Sequence, residues 1–209
     1  MSFQSTENKG RFTGMRHNRK IFAFTGRQKS GKDTSADILI RFIRENYPEH
    51  TLERFAFADP LKRVCSQAYC HSGIPEKVFY GTQEDKAADW GPYGFPGVTG
   101  RGVLNKISDV FKSTYPNIWL DTTKLHTENS DADFLIYTDC RMEYEEMWLR
   151  SLGGILIRTN RKLSDFEDPK LHHSEAGISK LPVKYELDNN GSLDFLEEQI
   201  IAIVKQEIE

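Results

Sequence analysis

Residues 26–34 read GRQKSGKDT, and the fold of the chain turns on them. A phosphate-binding loop is written G-x-x-x-x-G-K followed by Ser or Thr, whose hydroxyl helps to hold the magnesium that travels with a nucleotide. Here Gly26, Gly31 and Lys32 fill the glycine and lysine positions, Asp33 stands where the hydroxyl belongs, and Thr34 follows it. The surroundings match what such a loop requires. IFAFT (21–25) is a short apolar run that leads into Gly26 as a buried strand would. DTSADILIRFIREN (33–46) repeats its apolar residues with a helical period and stops before Pro48. The two glycines let successive N–H groups turn inward, the helix adds its positive end, and an anion is cradled between them. Lys32 then reaches toward the β and γ phosphates, with Lys29, Ser30 and Thr34 in the same cradle.

Working outward, LERFAFA (52–58), DFLIYTD (133–139), GILIRTN (154–160) and VKYELDN (183–189) read as four further strands. Helical segments separate them: DPLKRVCSQAY (59–69) with Asp59 as N-cap and Pro60 in its first turn, RGVLNKISDVFKSTY (101–115), IWLDTTKLHTEN (118–129), MEYEEMWLRSL (142–152) and residues 192–208. Alternating strands and helices predict an α/β fold: a P-loop NTPase with a mostly parallel five-stranded sheet, helices on both faces and a substrate or lid insertion. Ligands in such sheets sit at the carboxyl ends of the strands. Residues 1–19 carry no helical or strand period and read as a flexible arm, which leaves 20–209 as the folded domain. Within it, residues 81–101 hold five glycines and two prolines around Trp90, Tyr93 and Phe95, a structured loop on the acceptor side. Residues 158–176 form a lid-like segment.

Composition narrows the class. The 209 residues suit one domain, and the formal charge of −3 gives no support for nucleic acid as the main partner. No run approaches the roughly 20 apolar residues of a membrane span, and the first residues lack a secretory apolar segment, so a cytoplasmic protein is expected. Cys65, Cys70 and Cys140 fit neither a disulfide framework nor a zinc site.

Taken in order, GRQKSGKDT, FADPLKR (57–63), TDCRMEYEEMWLRSLGG (138–154), ILIRTNR (155–161) and HHSE (172–175) resemble the deoxynucleoside monophosphate kinases encoded by tailed bacteriophages. The resemblance runs from about Ile21 to Glu175. It implies phosphorylation of a deoxynucleoside 5′-monophosphate to the diphosphate, with ATP as co-substrate and magnesium as cofactor, in the host cytoplasm. It also places Arg141 at the active centre and Arg101 near the acceptor phosphate.

The chemistry of each segment can be set beside that role. Asp33, facing a triphosphate, needs a cation: it either meets magnesium, directly or through water, or lies near the acceptor. Thr34 either offers its hydroxyl to a phosphate or caps the helix. Asp139, following FLIY, stands where a magnesium-orienting carboxylate lies, which makes Asp33, Thr34 and Asp139 the candidate metal set. Arg141 can grip phosphate oxygens with two parallel bonds, and Glu145, one helical turn on, can fix its orientation. On the acceptor side, Gln28, Lys62, Arg63 and Trp90 join Arg101, Arg141, Glu145 and Glu175. Lys62 and Arg63 either hold a monophosphate or are a solvated helix face, and Trp90 either stacks on a base or anchors its loop. Arg158, Arg161 and Lys162 are either lid cations over ATP, Arg161 foremost, or a plain basic loop. His172, His173, Ser174 and Glu175 suit a substrate loop better than a metal site. Three other readings compete: a kinase of a non-nucleotide phosphate, resembling phosphomevalonate kinase; an ATP-binding regulator without acceptor turnover; and a nucleic-acid end kinase, which needs a basic groove that the −3 charge does not support and that the arm at residues 9–20 leaves open. A homodimer is left open.

Overall fold

The structure is a computed structural model that describes residues 19–162 and 177–208. The arm up to residue 18 and the stretch 163–176, with His172, His173, Ser174 and Glu175, lie outside the described residues. Five strands, β1 (Lys20–Thr25), β2 (Leu52–Phe55), β5 (Phe134–Tyr137), β6 (Ile155–Asn160) and β7 (Tyr185–Asp188), form one sheet in the order β2-β5-β1-β6-β7. Every neighbouring pair in it is parallel. β1 is therefore central, which is why IFAFT is an unbroken apolar run rather than an alternating one.

Its side chains divide between two layers. Phe22 and Phe24 pack against α1 (Lys32–Asn46) and α8 (Leu193–Ile208), joined by Leu39, Ile43 and Ile200. Ile21 and Ala23 face the other way, toward Leu120 of α6 (Ile118–Asn129) and Leu149 of α7 (Glu143–Ser151). Burying each large apolar side chain contributes roughly 1.5–3 kcal/mol. A parallel sheet with a glycine loop between the central strand and α1 is the P-loop NTPase arrangement expected from the sequence.

A third, smaller core lies between the strands in sequence, in residues 59–119. It holds α2 (Asp59–Cys70), α3 (Lys77–Tyr80), α4 (Gln83–Ala87), the hairpin of β3 (Asp89–Trp90) and β4 (Phe95–Thr99), and α5 (Gly100–Thr114). The glycine-rich stretch 81–101 is thus a helix and a hairpin. Gly100 makes its junction with α5 possible, since a Cβ there would run into the Val78 carbonyl. Arg19, at the end of the arm by sequence, is tied down: its guanidinium donates to the carbonyls of Thr127, Ser130 and Ala132. No described helix is long and apolar enough to cross a membrane.

Candidate active site

The loop after β1 is held open by backbone conformation. Gly26 (φ 145°), Lys29 (φ 63°) and Gly31 (φ 97°) all have positive φ, and both glycines are also confined sterically. A Cβ on Gly26 would come within 2.6 Å of Ser30 Oγ and the Thr159 carbonyl, and one on Gly31 would overlap the Asn189 side chain. Asn189, just after β7, donates from Nδ2 to the Ser30 carbonyl at 2.8 Å and so braces the loop from the far side of the sheet. Lys32 is 8% exposed and its Nζ donates to the Arg27 carbonyl at 2.8 Å, across the mouth of the loop. Ser30 is buried, and among the described residues its hydroxyl makes no hydrogen bond.

Around this loop lies a cleft of about 810 Å³, lined by Lys29, Gly31, Lys32, Asp33, Thr34 and Arg161 of the expected nucleotide set, together with Asp139 and Arg141. A smaller cavity of about 370 Å³ continues from it past Gly31, Thr34 and Arg161 to Lys162, Asn190 and Leu193. Asp33 points into the cleft and its charge is met by Arg54 of β2, 3.2 Å from Nη2; the other arm of that guanidinium holds Asp37 at 2.6 Å. Arg54 was not among the residues picked out by sequence. On the short strand LERF it carries no motif, and only the fold sets it beside the loop.

At the carboxyl end of β5, Asp139 has an occupation that the sequence does not reveal. Its two oxygens accept the backbone N–H groups of Phe57 (2.6 Å) and Ala58 (3.1 Å), clamping the β2–α2 turn to the end of β5. Asp33, Thr34 and Asp139 line the same cleft, but no three His, Cys, Asp or Glu side chains converge as a metal cage among the described residues. The donor set fits magnesium that arrives on a nucleotide and keeps its waters, because that ion takes one or two carboxylates plus substrate phosphates rather than a protein cage.

The cleft opens on its other side into a cavity of about 240 Å³. Six residues line both: Ala58, Lys62, Gln83, Lys86, Asp139 and Arg141. Cations concentrate at this junction. Lys62 is paired with Asp59 (2.9 Å) and lies over the Tyr80 ring. Burial, followed by the charge of Lys62, holds the Lys86 ammonium below its usual range; Arg101 and Arg141 push the same way, and Asp33 opposes them. Arg101 donates to Gln28 Oε1 (3.3 Å) and to Gln83 Oε1, and Gln28 Nε2 also donates to Gln83 Oε1 (3.0 Å), so the phosphate loop and the insertion meet at one guanidinium. Lys86 and Gln83 were missed by sequence, since neither follows a strand.

Glu145 is buried and accepts the backbone N–H groups of Arg141 (2.8 Å) and Met142 (3.0 Å). It thereby fixes the backbone from which the Arg141 side chain springs, and the Arg141 charge acts on it as well. Burial pushes its carboxyl up to about 7, with some help from the charge of Asp139, against the pull of the two amides and of the Arg141 charge.

Three expectations are corrected. Trp90 is 1% exposed and packs edge-on against Tyr69 (5.5 Å) and Phe79 (5.8 Å), so it anchors the small core and lines no part of the cavity. Arg63 is exposed and lines neither space; of the FADPLKR pair only Lys62 faces the junction. Arg158 belongs to β6 and is spent on Glu186 (2.6 Å) and the Leu181 carbonyl (2.5 Å), so of the arginines in the lid-like segment Arg161 alone lines the cleft.

No family model matches the chain, and no curated protein matches it. Among solved structures, the chain is similar to an APS kinase CysC Cys556Ala mutant from Mycobacterium tuberculosis, at 12% identity and a TM-score of 0.40 over 90% of this chain and 98% of that one. It is also similar to a gluconokinase from Sinorhizobium meliloti 1021 (13%, TM-score 0.45, 92% and 95%). A third similar structure is a shikimate kinase from Aquifex aeolicus vf5 (12%, TM-score 0.38, 89% and 96%). Likenesses this distant carry no argument about activity. The fold assignment stands on the sheet order and the loop.

Proposed function

We propose that the chain transfers the γ-phosphoryl group of ATP to the 5′-phosphate of a deoxynucleoside monophosphate. The observation that carries this reading is the shared wall: a phosphate-loop cleft and a second cavity meet at Lys62, Lys86 and Arg141, with Arg101 just inside the second. Two anionic ligands, one from each side, would bring their phosphates together there. The second cavity supports an acceptor with a flat apolar body, because Phe57, Leu61, Trp119 and Tyr144 line it alongside polar groups. That the sugar is deoxyribose rests on the resemblance to the phage-encoded kinases of deoxynucleotide synthesis.

In this mechanism the acceptor phosphate is already a nucleophilic oxyanion, so no covalent intermediate is required. The chain's own residues position and neutralise. Loop N–H groups and Lys32 hold the donor's β and γ phosphates, Arg101 and Arg141 hold the acceptor phosphate, and Lys86 stands between them. Asp33, Thr34 and Asp139 would hold magnesium, through water, and the ion would neutralise charge on the donor phosphates. Arg161, at the donor end, would close over the nucleotide and help to keep water out.

The test is ADP release from ATP with a panel of monophosphates. Turnover stimulated by deoxynucleoside monophosphates is expected, and Lys32→Ala should lower it at least about 100-fold while far-UV circular dichroism is unchanged. Activity only on a non-nucleotide phosphate, or ATP binding with no acceptor-stimulated turnover, would overturn the proposal.

A further inference from the structure

Three residues of α5, each one helical turn beyond the last, line the second cavity: Arg101, Asn105 and Asp109. Successive members of such a row lie about 6 Å apart along the axis. Arg101 is at the cationic junction, so the row leads away from the place where the acceptor phosphate would lie and along the body of whatever is attached to it. Among the described residues, neither the half-buried Asn105 amide nor the Asp109 carboxylate, which lines the cavity from its exposed end, is engaged by a hydrogen bond or an ion pair. A half-buried, unspent amide in a cavity lined also by Leu104, Ser108, Lys112 and Trp119 is open to a ligand's polar groups. Trp119 is itself fixed, its indole N–H donating to Ser108 Oγ at 3.1 Å.

We infer that Asn105 and Asp109 read the edge of the acceptor base and select guanine. This rests on the reading of the cavity as the acceptor site. A carboxylate only accepts, and of the four DNA bases guanine alone presents two adjacent donors, N1–H and the N2 amine, for it to take together. The neighbouring O6 is an acceptor, and the Asn105 amide, one turn nearer the phosphate, supplies the matching N–H. Adenine and cytosine set an acceptor beside their single exocyclic amine, and thymine offers one N–H between two carbonyls, so each leaves one carboxylate oxygen facing a lone pair or unpaired.

The experiment measures kcat/KM with ATP for dGMP, dIMP, dAMP, dCMP and dTMP, using the wild-type chain, Asp109→Asn and Asn105→Ala. dIMP keeps O6 and N1–H but lacks the N2 amine, so the wild type is expected to prefer dGMP over dIMP by about tenfold or more, the worth of one charge-assisted hydrogen bond. Asp109→Asn should bring that ratio toward one. Asn105→Ala should lower both rates together, through KM, and leave the ratio standing. Both positions are on the solvent side of α5 or half-exposed, so the variants should melt with the wild type, which a thermal scan checks. A dGMP/dIMP ratio unmoved by Asp109→Asn, or a wild type that prefers a pyrimidine, overturns this inference while leaving the kinase reading intact; absence of turnover with every nucleotide overturns both.

Discussion

Glu145→Gln tests the site through stability rather than turnover. The wild-type carboxyl is held at about 7 in the fold, against 4.5 when exposed. The folded chain therefore binds that proton more tightly than the unfolded chain. The stability this adds is complete below about pH 4.5 and is lost as the pH rises through 7, when the buried group must ionise. At about 1.4 kcal/mol per pKa unit, the whole swing is roughly 3 kcal/mol, most of it between pH 5 and 8. Glutamine keeps the shape, and its carbonyl can still accept an N–H from Arg141 or Met142, but it cannot ionise. The difference in unfolding free energy between the variant and the wild type should thus move by roughly 2–3 kcal/mol in the variant's favour from pH 5 to pH 8. Urea unfolding of both chains at half-unit pH steps reads this directly, and titrating groups remote from Glu145 cancel in the difference. Parallel stability curves would show that the two backbone amides hold the carboxylate charged throughout, and the argument from burial would fall.

Trp90→Ala should cost about 3–5 kcal/mol of unfolding free energy, as loss of a large aromatic from a packed core does, and Trp90→Phe much less, because its indole N–H has no partner among the described residues. A variant of Trp90 with unchanged stability and a raised acceptor KM would restore the base-stacking role. Asn189→Ala removes the bond that braces the Ser30 carbonyl, so it should cost about 1 kcal/mol in urea unfolding and raise the KM for ATP without changing that for the acceptor. A rise in both would show that the brace acts on the whole molecule.

The parts of the site that are legible in sequence are those whose determinants are neighbours along the chain. β1, the glycine loop and α1 are contiguous, and each glycine's left-handed backbone is a local requirement. Strand ends are less legible for a reason the structure supplies. LERFAFA reads as a strand to residue 58, but β2 ends at Phe55, since the amides of Phe57 and Ala58 turn to Asp139 instead of continuing the ladder. Trp90 shows the opposite difficulty. An aromatic among glycines carries the same signal whether it awaits a base or fills a small core, and only Tyr69 and Phe79, brought in by α2 and α3, decide between them. Lys86, Gln83 and Arg54 have no signature because they are gathered from elements that meet only in three dimensions.

The departure of the loop from its usual form follows from that gathering. The chain carries a net charge of −3, yet the cleft is lined by seven lysines and arginines against three aspartates. A concave surface with that excess of positive charge focuses its field on polyanions and raises their local concentration. In such a cleft a carboxylate at position 33 is not the isolated charge that it looks in the sequence. Arg54 bridges it to Asp37, and Lys86 lies close enough to feel it. Asp33 can therefore face a triphosphate without opposing it, its charge met by Arg54 in the cleft and felt by Lys86, which lines both spaces. The residue that makes the motif irregular is also the one that ties the donor loop electrostatically to the site next door.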